Sequence, residues 1–160
     1  MRMGEGVEWG LHCCLTLAWL GDEQPVPTAR LAAWFDLPPA YLTKRLQALV
    51  RAGILSSTPG ARGGFRLGRP PEQITLMDVV AAIEGPDELF RCTEIRQRTE
   101  GAAAAAADDF RRPCGVSTAM RRAELAWRRE LAGQTVADLM AAAPTGAAER
   151  TRRHYERLTG

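Results

Sequence analysis

A chain of 160 residues with 46% apolar side chains is long enough to bury one core, with at most an appended arm, and too apolar to be disordered. Its net charge of +2 neither selects nor excludes a class of partner. The apolar run from Val7 to Leu20 contains Glu8 and His12 and is too short and too polar to cross a bilayer; no small-residue cleavage site follows it, so a cytoplasmic protein is expected, whose four cysteines are thiols or metal ligands rather than disulfides.

Residues 1–6 read as a loose start. Val7 to Leu20, VEWGLHCCLTLAWL, reads as a largely buried helix in which Glu8 and His12, four apart, share one face. That polar pair has two readings: a mutual hydrogen bond at a helix start, where Glu8 also suits the helix dipole, or a pair of metal ligands. Cys13 and Cys14 point elsewhere and read as small buried apolar residues. Gly21 to Pro27 is a loop. Thr28 caps a short helix reaching Phe35, and Asp36-Leu37-Pro38 makes a turn.

Pro39 suits the first position of the next helix, PAYLTKRLQALVR. Leu42, Leu46, Leu49 and Val50 recur at the helical period and face inward; with Leu31 they make the small core beneath it. Thr43, Lys44, Gln47 and Arg51 lie opposite. Ala52-Gly53 stops the helix. Ile54 to Thr58 and Phe65 to Leu67 are short strands, joined by a glycine-rich tip that carries Arg62. A helix, a turn, a second helix and a basic hairpin are the layout of a winged helix-turn-helix.

Between Thr28 and Arg69 seven Lys and Arg stand against one acid, Asp36, leaving −4 for the rest of the chain. Such a block is the electrostatic footprint of a nucleic-acid surface. Candidate base contacts are Tyr41, Thr43, Lys44 and Gln47, since lysine reads guanine and glutamine reads adenine. Arg45 and Arg51 are candidates for phosphates, Arg62 for the minor groove, and Arg66 for the backbone beside it.

Beyond the wing, Thr75 and Asp78 form a capping-box-like start to LMDVVAAIEG, which ends at Gly85. Pro86 to Phe90 is a loop leading to Cys92, and Thr93 to Arg98 is a helical turn. Gly101 to Asp109 is alanine-rich with no amphipathic face, and a mobile loop is expected there. After Cys114, Val116 to Leu131 reads as a long helix with Met120, Ala123, Trp127 and Leu131 on one stripe, which suggests a dimer seam. Thr135 to Ala143 is a further helix, and Glu149 to Leu158 a charged segment, helical or disordered. The chain thus divides into a winged helix-turn-helix head (1–85), a cysteine-bearing loop (86–114), a dimerisation-helix region (115–143) and a charged tail (144–160). The class is mainly α with a small β wing.

Three stretches, AYLTKRLQALVRAGIL, GARGGFRLGRP and ITLMDVVAAIEGP, resemble in sequence and spacing the Rrf-two family of bacterial winged-helix regulators, the group containing IscR, NsrR and RsrR. The likeness runs from about Val7 to Leu139. VEWGLHCC and FRCTEIRQR look like the RsrR type in particular. The resemblance implies a homodimer on a pseudo-palindromic DNA site, with the long helix paired across the twofold axis. Metal-binding members commonly hold an iron–sulfur cluster with three loop cysteines and one other ligand. Only Cys92 and Cys114 stand in that region here, and the alanine run with Asp108-Asp109 occupies the place of another.

The RsrR likeness implies instead a 2Fe–2S cluster held by Cys92 and Cys114 of one subunit and Glu8 and His12 of the other. It further implies that Trp9 changes rotamer with cluster charge. Left to the residues alone, Cys92 reads equally as a structural thiol and Trp9 as an ordinary packed aromatic. Three functions are therefore in view: a redox-sensing DNA-binding regulator with a cluster, a cluster-free regulator of the same fold acting through thiols or a protein partner, and an enzyme. The last is not expected, because Glu8 and His12 are the only pair with acid–base spacing and no nucleophile or phosphate loop accompanies them.

Overall fold

The structure is a computed structural model that describes residues 3–21, 23–85, 88, 90–98 and 110–159. The alanine-rich loop expected over Gly101 to Asp109 lies outside the described residues. Seven α-helices form: α1 (Glu5–Leu20), α2 (Thr28–Trp34), α3 (Pro39–Arg51), α4 (Leu76–Glu84), α5 (Gly115–Ala132), α6 (Val136–Ala142) and α7 (Ala147–Thr159). Strands β1 (Leu55–Thr58) and β2 (Gly64–Leu67) pair antiparallel, with Leu55 opposite Leu67 and Thr58 opposite Gly64. This is the mainly α chain with a small β wing that the residue pattern predicts. The start is tighter than expected, since α1 already begins at Glu5.

Two compact units emerge. A head joins the chain up to residue 86 with residues 131–160, and an arm comprises residues 87–130.

In the head, α3 buries Leu42, Leu46 and Leu49 completely, together with Leu31 from α2 and Leu17 and Cys13 from α1. The helix stops where glycine allows. Gly53 takes φ 67°, the Gly53 amide donates to the Val50 carbonyl (2.9 Å), and the Ile54 amide donates to Leu49 (3.0 Å). That pair of bonds satisfies the last carbonyls and turns the chain into β1. The loop before α2 is more ordered than its sequence suggests: Val26 exchanges two backbone hydrogen bonds of 2.9 Å with Phe65 and so flanks the wing as a third short strand. Gly64 permits this approach, because a Cβ there would lie 2.3 Å from the Val26 carbonyl oxygen.

Residues 131–160 differ most from the sequence division. The Leu76 amide donates to Gln134 and the Val136 amide to Ile74, each at 2.9 Å, and Thr75 pairs with Thr135. Val136 is fully buried and Met140 packs on the core, so α6 belongs to the head rather than to the dimerisation region. The tail after Pro144 is not loose. It forms α7, whose Thr151 is buried and whose Tyr155 packs on the core. Both Thr75 and Thr135 accept the amide of the aspartate three residues on, and that aspartate accepts their own amide in return. Two capping boxes thus start α4 and α6 side by side.

In the arm, Ser117 is the one buried residue of α5; Val116 and Met120 are 65% and 43% exposed.

Candidate nucleic-acid interface and sensor site

The exposed face of α3 presents Lys44 and Gln47 to solvent, as the periodicity predicts. The Thr43 hydroxyl donates to the Pro39 carbonyl (2.7 Å), so it meets a ligand only as an acceptor. Arg45 is turned inward: its guanidinium lies 5.2 Å from the Tyr41 ring centroid, its Nε is buried, and a Cβ on Gly6 would approach that Nε to 2.8 Å. Arg45 and Tyr41 therefore fasten α3 to the start of α1. Arg62 is exposed at the wing tip, between Gly60 at φ 98° and Gly63; Arg66 is half-buried on β2. The structure brings these side chains into one unit, the head.

On α1, Glu8 and His12 are both exposed and line one open apolar groove of about 530 Å³ with Leu11, Leu15, Trp19 and Leu139. They are not sealed in the helix, so burial places no demand that they satisfy each other. Trp9 and His12 both face Phe35, at ring-centroid distances of 5.6 and 6.2 Å, and Phe35 touches Trp34 at 6.5 Å. Phe35 ends α2 and precedes Asp36, which holds a left-handed φ of 52° in the turn before α3. Sequence reasoning missed Phe35; its place at the turn was visible, but its partners depend on how α1 crosses α2.

In the arm, Cys92 and Cys114 line the same cavity of about 510 Å³, with Ile95, Arg96 and Val116. The Ser117 amide donates to the Cys114 sulfur at 3.2 Å, so that sulfur takes one of the free amides at the start of α5. Arg96 is gripped by Glu94, with Nε to one carboxylate oxygen and Nη2 to the other at 2.8 Å, while Nη2 also donates to the Arg112 carbonyl at 3.1 Å. The hydrogen bond to Arg96 holds the Glu94 carboxyl below its usual range; Glu94 first, then the Cys114 and Cys92 sulfurs, favour the charged guanidinium. Glu94 adopts φ 48°, a left-handed conformation that an acidic residue rarely takes without a reason. Arg96 and Glu94 were not singled out from sequence, although Arg96 stands four residues after Cys92.

The other two thiols differ in kind. Cys13 and Cys14 are completely buried. Burial pushes the Cys14 thiol up to about 12, and burial followed by the neighbouring Cys14 drives Cys13 well above its ordinary range. Both are therefore held as protonated thiols near neutral pH, shielded from reagents in solvent. Among the described residues no three of His, Cys, Asp and Glu converge as a metal site. The proposed ligands come together two by two, Glu8 with His12 and Cys92 with Cys114.

With this geometry in hand, the comparisons are consistent. The model of the Rrf2 family, described as iron-dependent transcriptional regulators, matches residues 3–142. YffB of Lactococcus lactis, named as an HTH-type transcriptional regulator, is 30% identical over 139 residues, covering 87% of this chain and 86% of its own. Protein aau3 of Rhizobium meliloti is 35% identical over 149 residues, covering 90% and 88%. Among solved structures, the global cysteine regulator CymR of B. subtilis superposes with a TM-score of 0.66 at 25% identity, over 90% of this chain and 99% of that one. IscR of T. potens shares the fold with a TM-score of 0.65 at 20% identity, over 92% and 91%. YffB and CymR are both named as regulators. The chain belongs to the Rrf2 family of winged-helix transcriptional regulators.

Proposed function

We propose that this regulator acts as a homodimer on a pseudo-palindromic duplex and senses redox state through a 2Fe–2S cluster, of the RsrR type, shared between its subunits. Cys92 and Cys114 of one subunit and Glu8 and His12 of the other are the ligands. The observation that carries the reading is the two-by-two grouping. Two accessible thiols share one cavity, an exposed carboxylate and imidazole share another, and the remaining thiols are sealed. The donor set suits the group: two sulfurs, one nitrogen and one oxygen fill four positions. Bound there, a cluster with a non-cysteine iron supplies a one-electron couple at a potential above that of all-cysteine clusters.

The chain's own residues supply the rest. Arg96 sets a fixed cation beside two sulfurs that are thiolates in any metal-bound form. The Ser117 amide bonds to one of them, and hydrogen bonds to sulfur tune such sites. On α1, His12 and Trp9 bear on Phe35, at the root of α3. A change of charge at His12 or Glu8 therefore acts on the turn that holds the reading helix. Lys44, Gln47 and Thr43 read bases, Tyr41 and Arg45 fix α3 beneath them, Arg62 enters the minor groove and Arg66 holds the wing on the backbone beside it.

Anaerobic purification followed by an absorption spectrum with iron and sulfide analysis tests this. Visible absorption with two irons per cluster is expected, lost or altered in Cys92→Ala, Cys114→Ala, His12→Ala and Glu8→Ala. A colourless, iron-free wild type that still binds DNA would instead support the second reading, a thiol-responsive regulator, which the shared cavity of Cys92 and Cys114 also favours.

A further inference from the structure

Helix α7 carries three arginines and a histidine in a row that has no part in the reading helix, the wing or the cysteine cavity. Arg150, Arg153, His154 and Arg157 recur at i, i+3, i+4 and i+7 and share one face. With Trp34 and Thr151 they line an open cleft of about 680 Å³ in the head. The helix is fastened to the head along its remaining side. Thr151 is buried, the Tyr155 hydroxyl accepts from Arg30 Nη1 at 3.2 Å, and Arg152 Nε donates to the Trp19 carbonyl at 2.8 Å. The cationic row is therefore presented from a fixed support.

Its position matters. Trp34 is the last residue of α2, and its ring meets His154 edge-on at 4.5 Å. The turn that follows leads directly into Pro39, the end of α3 that enters the groove. In a helix-turn-helix the first helix crosses the sugar–phosphate backbone while the second lies in the major groove. The cleft thus adjoins the part of the head that meets the backbone. Arg150 Nη1 is steadied by the Thr145 carbonyl at 3.0 Å. Arg153 pairs with Glu149 at 2.8 Å, but the two side chains are 59% and 68% exposed, and so loose a pair yields readily to phosphate.

We propose that the arginine face of α7, with the Trp34 cleft, is a second contact surface for duplex DNA that grips backbone phosphates flanking the segment read by α3 and the wing. The proposal rests on the head binding DNA, and it assigns to α7 a footprint beyond the winged helix. A small phosphorylated molecule shares the chemistry, but the openness of the cleft and its continuity with α2 and α3 favour the duplex.

The probe is a 60-base-pair genomic duplex recovered by binding selection with the purified full-length protein. Affinity is measured by anisotropy across salt concentrations, with hydroxyl-radical footprinting on the same duplex. Removing two phosphate contacts per subunit, four per dimer, in Arg153→Gln/Arg157→Gln is expected to lower the slope of log affinity against log salt by about 4, so that the affinity lost between 50 and 200 mM salt is roughly 100-fold smaller. The footprint should shorten at its outer edges with its centre unchanged. Arg153→Lys/Arg157→Lys should keep the slope. A wild-type slope and footprint in the glutamine double variant would overturn the proposal. So would stabilisation of wild type by inorganic phosphate or ATP that is lost in the double variant while its DNA slope stays normal, which marks a free-anion site. If wild type ignores the duplex even at low salt, the DNA-reading head itself fails; if wild type binds and the α7 variant binds identically, only this surface fails.

Discussion

The Cys114 sulfur is bound to the Ser117 amide and faces the cavity that Cys92 also lines, whereas the Cys13 and Cys14 thiols face only hydrocarbon. Alkylation of the native, metal-free protein should therefore mark Cys92 and Cys114 within minutes and reach Cys13 and Cys14 only in denaturant, as read by peptide mass spectrometry. The buried thiols also set an alkaline limit. The Cys14 thiol ionises at about 12 when folded against an ordinary 9.0, so the unfolded chain loses its proton first. Stability is full below pH 9 and falls as pH rises towards 12, by up to about 4 kcal/mol for this thiol, and Cys14→Ala should flatten that limb of a urea-midpoint-against-pH curve. At the reading edge, Lys44→Ala is expected to reduce discrimination between cognate and scrambled duplexes by about 1–3 kcal/mol; an unchanged ratio in a competition titration removes Lys44 from base recognition. That Glu8 and His12 share a face was legible from their spacing of four, whereas the sequence alone left open that Cys92 and Cys114 line one cavity, since the segment between them does not fix their distance. Arg96 and Phe35 were not legible, because their importance comes from neighbours met only through folding: two sulfurs and a left-handed Glu94 for one, two rings from α1 for the other.

Among elements, α3, the wing and α4 were readable almost to the residue, since periodicity, a glycine stop and a Thr-x-x-Asp cap all agreed. Helix α7 was not, because among its described side chains the inward seam is carried by Thr151 and Tyr155 between charged neighbours, and a charged exterior resembles a solvated tail. The contact between α1 and α4 was equally hidden. Gly10 lets the helices close, for a Cβ there would stand 2.4 Å from Ile83 Cδ1 and 3.2 Å from Val79 Cγ1. Although alanine is the better helix former, Gly10→Ala should lower stability by about 1–3 kcal/mol through overpacking, measured by urea unfolding; an unchanged or raised midpoint would show that α4 moves aside freely.

For the whole molecule, the proposed dimer assigns its seam to the arm helix, where Val116 and Met120, four residues apart on α5, are 65% and 43% exposed. Met120→Glu is expected to shift the protein from dimer to monomer in sedimentation equilibrium while leaving the head folded. A variant that remains dimeric places the seam elsewhere. The long apolar stripe was legible from spacing, but the return of residues 131–160 to the head was not, since a backbone bridge between Thr75 and Thr135 leaves no trace in local periodicity.

That return has a consequence for biosynthesis. Helix α1 leaves the ribosome first, yet two of the helices that cover it, α6 and α7, leave last, after the entire arm has been made. Until then Leu11, Leu15 and Trp19 have no roof, and a nascent chain paused anywhere in the arm offers them to chaperones.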